Sequence, residues 1–373
     1  MDEAVISVGR AKLAEQPGGK ALANLPNGAR VTVRGGPAAW VEVEHQGMLG
    51  VVSRRSLSFV EVEHSGLESV PARPPIPPKA KPADIKISGI KVLGPDGIRF
   101  GTKFKLGLYN YGLTSLRNFF EQDPDAFPTL SPSIARVMQA VSDNEGKIEA
   151  INSWDDAILS CSIYQWTSGV GVAQGELPYA LSLLKADAPS SFQTFFGDEG
   201  LDVMVEAGAV TGFFVLGGER LDTAAKKAEL RRSIWAYRFW RAAHDRDVRR
   251  AYVKAAIARI GRFYPVKIAA LGNRPMSDYI SSEVGVAQLL DQHVNRPGHL
   301  SKTVVNAVKA YVAEKGASNP AQWSDKDERA MLKLYIKQRG RTNMTDSDKR
   351  AARVNSYVAS GLISDKRGSF RSQ

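Results

Sequence analysis

The sequence predicts a multidomain chain: a small all-β unit at the N-terminus, then a mainly helical α+β domain that carries a small β-hairpin. Three observations predict it. Residues 1–64 are short β-rich runs separated by turn signals. Six prolines crowd between Pro71 and Pro82. Beyond about residue 128 the apolar residues recur mainly at helical spacing. The expected boundaries are 1–64 for the β unit, 65–84 for a proline-rich linker, 85–300 for the main domain and 301–373 for a basic helical extension.

In the β unit, Ala29–Val33 alternates and stops at Gly35-Gly36-Pro37, and Trp40-Val41-Glu42-Val43-Glu44 alternates again. Gly50-Val51-Val52 and Leu57–Val60 complete the set. The linker alternates Pro with Lys, Ala and Arg, which favours extended polyproline II and makes it a semi-rigid spacer. Ile85–Ile87 and Ile90–Val92 read as strands around glycines. Ser131-Pro132 then supplies an N-cap and a first-turn proline. Ile134, Val137, Met138 and Val141 follow on one helix face. That helix is expected over 132–144, stopped by Gly146. Further helices are expected at 177–187, 223–243, 247–262, 278–292, 301–315, 326–338 and 346–360. The Gly208–Gly218 stretch reads as a hairpin or a buried turn.

The chain of 373 residues carries 50 Lys+Arg against 39 Asp+Glu, a net charge of +11, and this excess of base suits a polyanionic partner. The charge is uneven: residues 223–262 carry +9 and residues 301–373 carry +8. Arg231, Arg232, Arg238 and Arg241 share a segment with Trp235, Phe239 and Trp240, the pattern of a packed amphipathic helix with a solvated basic face. No run of about 18 apolar residues exists to cross a membrane. The start, Met1-Asp2-Glu3-Ala4-Val5, lacks the basic residues and apolar stretch of a secretory signal. The single cysteine, Cys161, excludes an internal disulfide. The five histidines have no metal-ligand spacing. GxxxxGK[ST], GxSxG and HExxH are absent, and Gly169-Val170-Gly171…Gly175 misses the dinucleotide fingerprint by one residue. No cofactor is expected.

The chemistry concentrates in residues 141–179. Glu145 falls at a helix C-terminus, where the negative end of the helix dipole disfavours an ionised carboxylate. Burial under Trp154 or Trp166 would raise its pKa further. A carboxylic acid that holds its proton near neutrality is what protonation of a glycosidic oxygen requires. A short β region follows over Lys147–Asn152, with a polar turn at Ser153–Asp155 and a second arm over Ala157–Trp166. Asp155 or Asp156 at that turn supplies the second carboxylate of a glycosidase pair. The two are neighbours and point to opposite faces of a strand, so one of them faces the site. Ser160 is placed to hold the attacking water, and Gln165 to hydrogen-bond sugar groups. Trp154, Tyr164, Trp166 and Asp156 complete the expected substrate-binding set.

These residues resemble the lysozyme-like superfamily. Phage-type lysozymes carry a helix-terminal Glu, an Asp about nine residues on and a Thr about fifteen on, within a small hairpin; Glu145, Asp155 and Ser160 occupy those places. Goose-type lysozymes and lytic transglycosylases share a Glu followed by Ser-x-Gly-x-x-Gln. Ser160-Cys161-Ser162-Ile163-Tyr164-Gln165 matches this except that Ser162 replaces the Gly. The resemblance covers about 40 residues directly. It implies a peptidoglycan muramidase with Glu145 as general acid. By likeness to the helical lobe of such enzymes, it also places Asp291…Asn295-Arg296-Pro297-Gly298 beside the cleft. The N-terminal order Leu25…Gly28…Val31-Val33…Trp40-Val41-Val43…Gly47…Gly50-Val51-Val52…Leu57 resembles a bacterial SH3-like domain, with Val51 where a Trp is usual. Such domains often bind cell-wall peptides.

The expected partner is therefore peptidoglycan, with neither nucleotide nor nucleic acid in the leading reading. The expected route is synthesis in the cytoplasm, reaching the wall by phage lysis, virion delivery or a contractile secretion device. Lytic transglycosylase and chitosanase-like activity are the enzymatic alternatives. A non-catalytic basic protein binding wall polymer or nucleic acid is the alternative of a different class.

Overall fold

The computed structural model describes residues 3–6, 10–16, 19–35, 40–53, 56–60, 81–142 and 144–372. The expected proline spacer falls mostly on residues 61–80, and the turn at Gly36-Pro37 on residues 36–39; both lie outside the described residues. The chain forms two compact units, Met1–Thr114 with Gly146–Tyr252, and Ser115–Glu145 with Val253–Gln373. The first holds the N-terminal all-β region and the second is mainly helical. The expected boundary at residue 300 falls inside the second unit.

The first unit opens with seven antiparallel strands among the described residues: β1 Glu3–Ile6, β2 Arg10–Ala14, β3 Ala21–Pro26, β4 Arg30–Gly35, β5 Trp40–His45, β6 Met48–Ser53 and β7 Leu57–Val60, ordered β3-β2-β6-β5-β4-β1-β7. The four expected strands are β4 to β7. Their alternation buries Val31, Val41, Val43 and Val52 with Ile6, Leu13 and Leu25 in one core. The β5–β6 turn, Gln46-Gly47, has φ of 51° and 78°, the left-handed pair that a tight hairpin needs.

A second seven-stranded antiparallel sheet follows in chain order: β8 Lys86–Ser88, β9 Lys91–Leu93, β10 Arg99–Phe104, β11 Gly107–Asn110, β12 Ile151–Asn152, β13 Ser160–Cys161 and β14 Trp166–Thr167. The expected hairpin of 147–166 is thus the last three strands of a larger meander. The Gly208–Gly218 stretch contributes to a small sheet, β15 Leu201–Met204, β16 Phe213–Leu216 and β17 Glu219–Arg220.

One expected helix of this unit is broken. In place of 223–243 the chain forms Ala224–Lys227, a 3-10 turn Ala228–Arg231 and a new helix Ser233–Ala242. Arg232 is extended at φ −59° and ψ 141°. Long-range bonds dictate the break. Lys227 is buried and donates to Gly169 O at 3.0 Å and to Ala173 O. Arg231 reaches backbone carbonyls of the 153–155 turn. The aromatics of the new helix, Trp235, Phe239 and Trp240, are buried as their spacing predicts. Its arginines are less solvated than expected: Arg238 pairs with Glu199 and lies over the Trp235 ring at 4.5 Å, and Arg241 is buried.

In the second unit the helix Pro132–Ser142 buries Ile134, Val137, Met138 and Val141, the predicted face. It ends at Ser142, and Gly146 lies outside the left-handed region, so the stop is not a glycine cap. The helix Glu283–Asn295 is buried continuously from Glu283 to Gln292, which makes it the centre of the unit. The expected helix 278–292 is split here, because Ser282 caps the new start by accepting from Gly285 N at 3.0 Å. The helices Leu300–Lys315, Asp325–Arg339 and Ser347–Ala359 complete the set close to expectation. The C-terminal segment is tied down: Val284 N bonds Ser364 O at 3.0 Å, Phe370 N bonds Ser281 O at 3.0 Å, and Arg367 pairs with Glu328 at 2.8 Å. No helix among the described residues is long and apolar enough to cross a membrane.

Candidate active site

In the first unit a cavity of about 350 Å³ opens over the end of the second sheet. Four residues singled out by the sequence line it together: Trp154, Asp155, Ser160 and Gln165. The register explains their convergence. Tyr109 on β11 pairs with Asn152 on β12, and Asn152 pairs with Ser160 on β13, so three lining residues stand in one row across the sheet.

The turn that presents Asp155 is held from several sides. Asp155 Oδ2 accepts from Asn152 Nδ2 at 2.7 Å and Oδ1 from Ala157 N at 3.0 Å. Arg231 donates to Ser153 O at 2.9 Å and to Asp155 O at 2.8 Å. Ser153 Oγ accepts from Leu108 N at 3.0 Å. Gly107 packs so closely that an added Cβ would lie 2.1 Å from Ser153 O, so only glycine allows this approach. Asp155 is therefore a fixed carboxylate on the cavity wall, whereas Asp156 is exposed and does not line it.

The other walls are aromatic. Phe104 meets Trp154 edge to face, with centroids 4.9 Å apart, and Lys105 Nζ lies 4.7 Å from the Trp154 ring. Tyr109, Tyr111 and, from β5 of the N-terminal module, Trp40 also line the cavity. Behind them Arg99 Nη2 bonds Glu42 Oε1 at 2.5 Å and Thr102 Oγ1 at 2.6 Å, and Thr102 donates to Glu42 Oε2 at 3.1 Å. Burial, and next the Glu42 charge, push the Tyr109 phenol well above its ordinary range, so it stays protonated.

Two of the expected substrate-binding residues are core instead. Trp166 is 0% exposed and Tyr164 3%, with ring centroids 5.7 Å apart. Gln165 between them, at φ 49°, lines the cavity. Backbone strain concentrates here: four of the eight described non-glycine residues with positive φ are Lys105, Ile158, Ser162 and Gln165.

Ser162 is the position where the Ser-x-Gly-x-x-Gln pattern has Gly, and its φ of 71° is the conformation that glycine favours. Its hydroxyl is buried with no hydrogen-bond partner. The substitution Ser162→Gly removes a left-handed strain of about 1–2 kcal/mol and an unsatisfied hydroxyl, against about 0.5–1 kcal/mol of added chain entropy. Ser162→Gly is expected to raise stability by about 1 kcal/mol, read as an increased urea midpoint with unchanged slope.

Glu145 lies in the second unit. Its backbone N–H bonds Ser142 O at 3.0 Å, which places it three residues past the end of the Pro132–Ser142 helix, a helix that stops short of the expected 132–144. It is 8% exposed and belongs to a buried charge network. Its Oε1 accepts from Arg350 Nη2 and from Asn295 Nδ2 at 2.7 Å. Arg350 also forks onto Asp291, with Nη2–Oδ1 at 2.6 Å and Nε–Oδ2 at 3.3 Å. Arg339 pairs with Asp291 Oδ2 at 3.0 Å. Desolvation raises the Glu145 pKa above the ordinary carboxylate value; Arg350 opposes the rise and the Asp291 charge adds to it. The hydrogen bonds from Arg350 and Asn295 both fall on Oε1.

Of the expected site residues, Trp154, Asp155, Ser160 and Gln165 line the cavity, whereas Glu145, expected to pair with Asp155, does not line it and belongs to the second unit. The sequence also pointed to Asp291 and Asn295. It missed Trp40, Lys105, Arg231 and Arg350. Only Lys105 had a local signal, a two-residue turn between β10 and β11. The roles of the others come from distant chain. No protein-family model, curated protein or solved structure matches the chain.

Proposed function

We propose that the protein is a glycoside hydrolase of the lysozyme-like kind, a muramidase that cleaves the glycan backbone of peptidoglycan, with an SH3-like N-terminal module. The observation that carries the reading is the convergence of Trp154, Asp155, Ser160 and Gln165 on one aromatic-walled cavity. Flat aromatic faces and a few fixed amide, hydroxyl and carboxylate groups are what a sugar ring demands. By the resemblance Glu145 is the acid; it lies in the second unit and is not among the residues that line this cavity, where Asp155 is the carboxylate. In that role Glu145 gives its proton to the glycosidic oxygen as the C–O bond breaks. A water near Ser160 then adds to the anomeric carbon, and its proton passes to a carboxylate. Tyr109, kept neutral, remains a hydrogen-bond donor to the sugar.

The test is turbidity loss of purified cell walls by the wild-type protein, with mass spectrometry of the products. Reducing ends support hydrolysis, 1,6-anhydro ends identify a lytic transglycosylase, and walls left intact overturn the assignment. One observation favours a second reading, a non-catalytic glycan-binding protein: the Glu145 carboxylate is already engaged by Arg350. That reading predicts retention of glycan on the protein with no product.

A further inference from the structure

We propose that the N-terminal β module is a functional wall of the cavity: Trp40, Trp154 and Lys105 form one subsite for a sugar ring that carries a carboxylate. The proposal rests on the glycan reading above. The expected role of such a module is to bind the cell wall at a site of its own, across a spacer. The contacts say otherwise. Glu42 is 6% exposed and pinned to Arg99 of the second sheet at 2.5 Å. Trp40 lies two residues earlier on the same strand, β5, so both side chains leave the same face. The pair that fixes Glu42 therefore brings Trp40 to the cavity, where it is only half-buried.

The ligand chemistry follows from the facing residues. The Trp154 indole Nε1 is buried with no hydrogen-bond partner, a donor held ready beside the cavity. Lys105 lines the same space, with Nζ 4.7 Å from the Trp154 ring and 5.5 Å from Phe104. It occupies a two-residue turn at φ 49°, where Gly, Asn or Asp would cost less. Among the described residues no carboxylate pairs with it. A strained backbone that aims an unpaired ammonium into an aromatic cavity is suited to one anionic group on an otherwise apolar-faced ligand. A cavity of about 350 Å³ takes one ring with its substituent, the rest of a glycan strand extending outside it.

The test uses the full chain and two thio-linked tetrasaccharides that the enzyme cannot cleave, measured by titration calorimetry. One is built of N-acetylglucosamine alone. The other carries a lactyl carboxylate on alternate rings. A hydrogen bond to a charged group is worth about tenfold or more in affinity. The wild type is expected to prefer the acidic ligand by about that factor. Lys105→Met is expected to erase the preference. Loss of a buried aromatic anchor costs more than about 1 kcal/mol, roughly fivefold or more. Trp40→Ala is expected to weaken both ligands by that much, and Trp40→Phe to recover most of it. If Trp40→Ala binds both ligands like wild type, or Lys105→Met keeps the preference, the subsite is wrong and the glycan reading stands. If the wild type binds neither ligand, both fall.

Discussion

Glu145→Gln is expected to lose wall-clearing activity by about 10²–10⁴-fold, the usual contribution of a positioned general acid. The amide matches the protonated carboxyl in shape. Its oxygen can keep the bonds from Arg350 and Asn295, and its nitrogen takes the place of Oε2. What it lacks is the proton to give. Clearing by the variant at the wild-type rate would leave the cavity a binding site and Glu145 a structural ion-pair partner.

The same substitution has a pH signature that separates the two roles. The Glu145 pKa is raised above its ordinary value of 4.5, chiefly by desolvation. A raised carboxyl stabilises the fold fully below the unfolded-state value and loses that contribution as pH rises through the folded-state value. Gln does not titrate. The stability of Glu145→Gln relative to wild type is therefore expected to improve as pH climbs through this window, read as the difference in urea midpoints at pH 4 and pH 8. Wild-type clearing should fall over the same window, because the acid loses its proton. A variant that becomes steadily worse than wild type with rising pH would show that the Arg350 pair outweighs desolvation.

What was legible in the sequence was local. Alternation marked β4 to β7 because a half-buried strand must place one side inward. The face Ile134, Val137, Met138 and Val141 marked its helix for the corresponding reason at period 3.6. Asp155, Ser160 and Gln165 were legible because one short meander brings them together within a dozen residues. The break at Ser282 was masked by Ile280 and Val284, which continue the helical apolar period across it. The break near Arg232 had no local signal, since Arg231 bonds carbonyls 76 and 78 residues earlier. The basic blocks misled in the same way. Counted as charge, Arg231, Arg339 and Arg350 suggest an adhesive surface. In the structure all three are spent inside their units, and Arg350 reaches a carboxylate 205 residues away.

Arg350→Met is expected to carry the largest stability cost in the protein, about 3–5 kcal/mol, the usual result of removing one partner from a buried ion pair. Arg350 touches both Glu145 and Asp291. After its loss Asp291 keeps Arg339 at 3.0 Å and Asn144 at 3.2 Å, but among the described residues Glu145 keeps only Asn295. The uncompensated charge is therefore on Glu145, and the deficit depends on whether Glu145 is ionised. It is expected to be smaller at pH 5 than at pH 8, because protonation removes the charge that Arg350 had offset. Glu145→Gln added to Arg350→Met should restore much of the stability lost at pH 8, a coupling that a double-mutant cycle reads directly. Strict additivity of the two substitutions would mean that the pair does not communicate. The coupling also joins stability to catalysis. Arg350 lowers the Glu145 pKa against desolvation, so without it the acid keeps its proton to higher pH. Whatever wall-clearing activity Arg350→Met retains should then persist further into the alkaline range than that of the wild type.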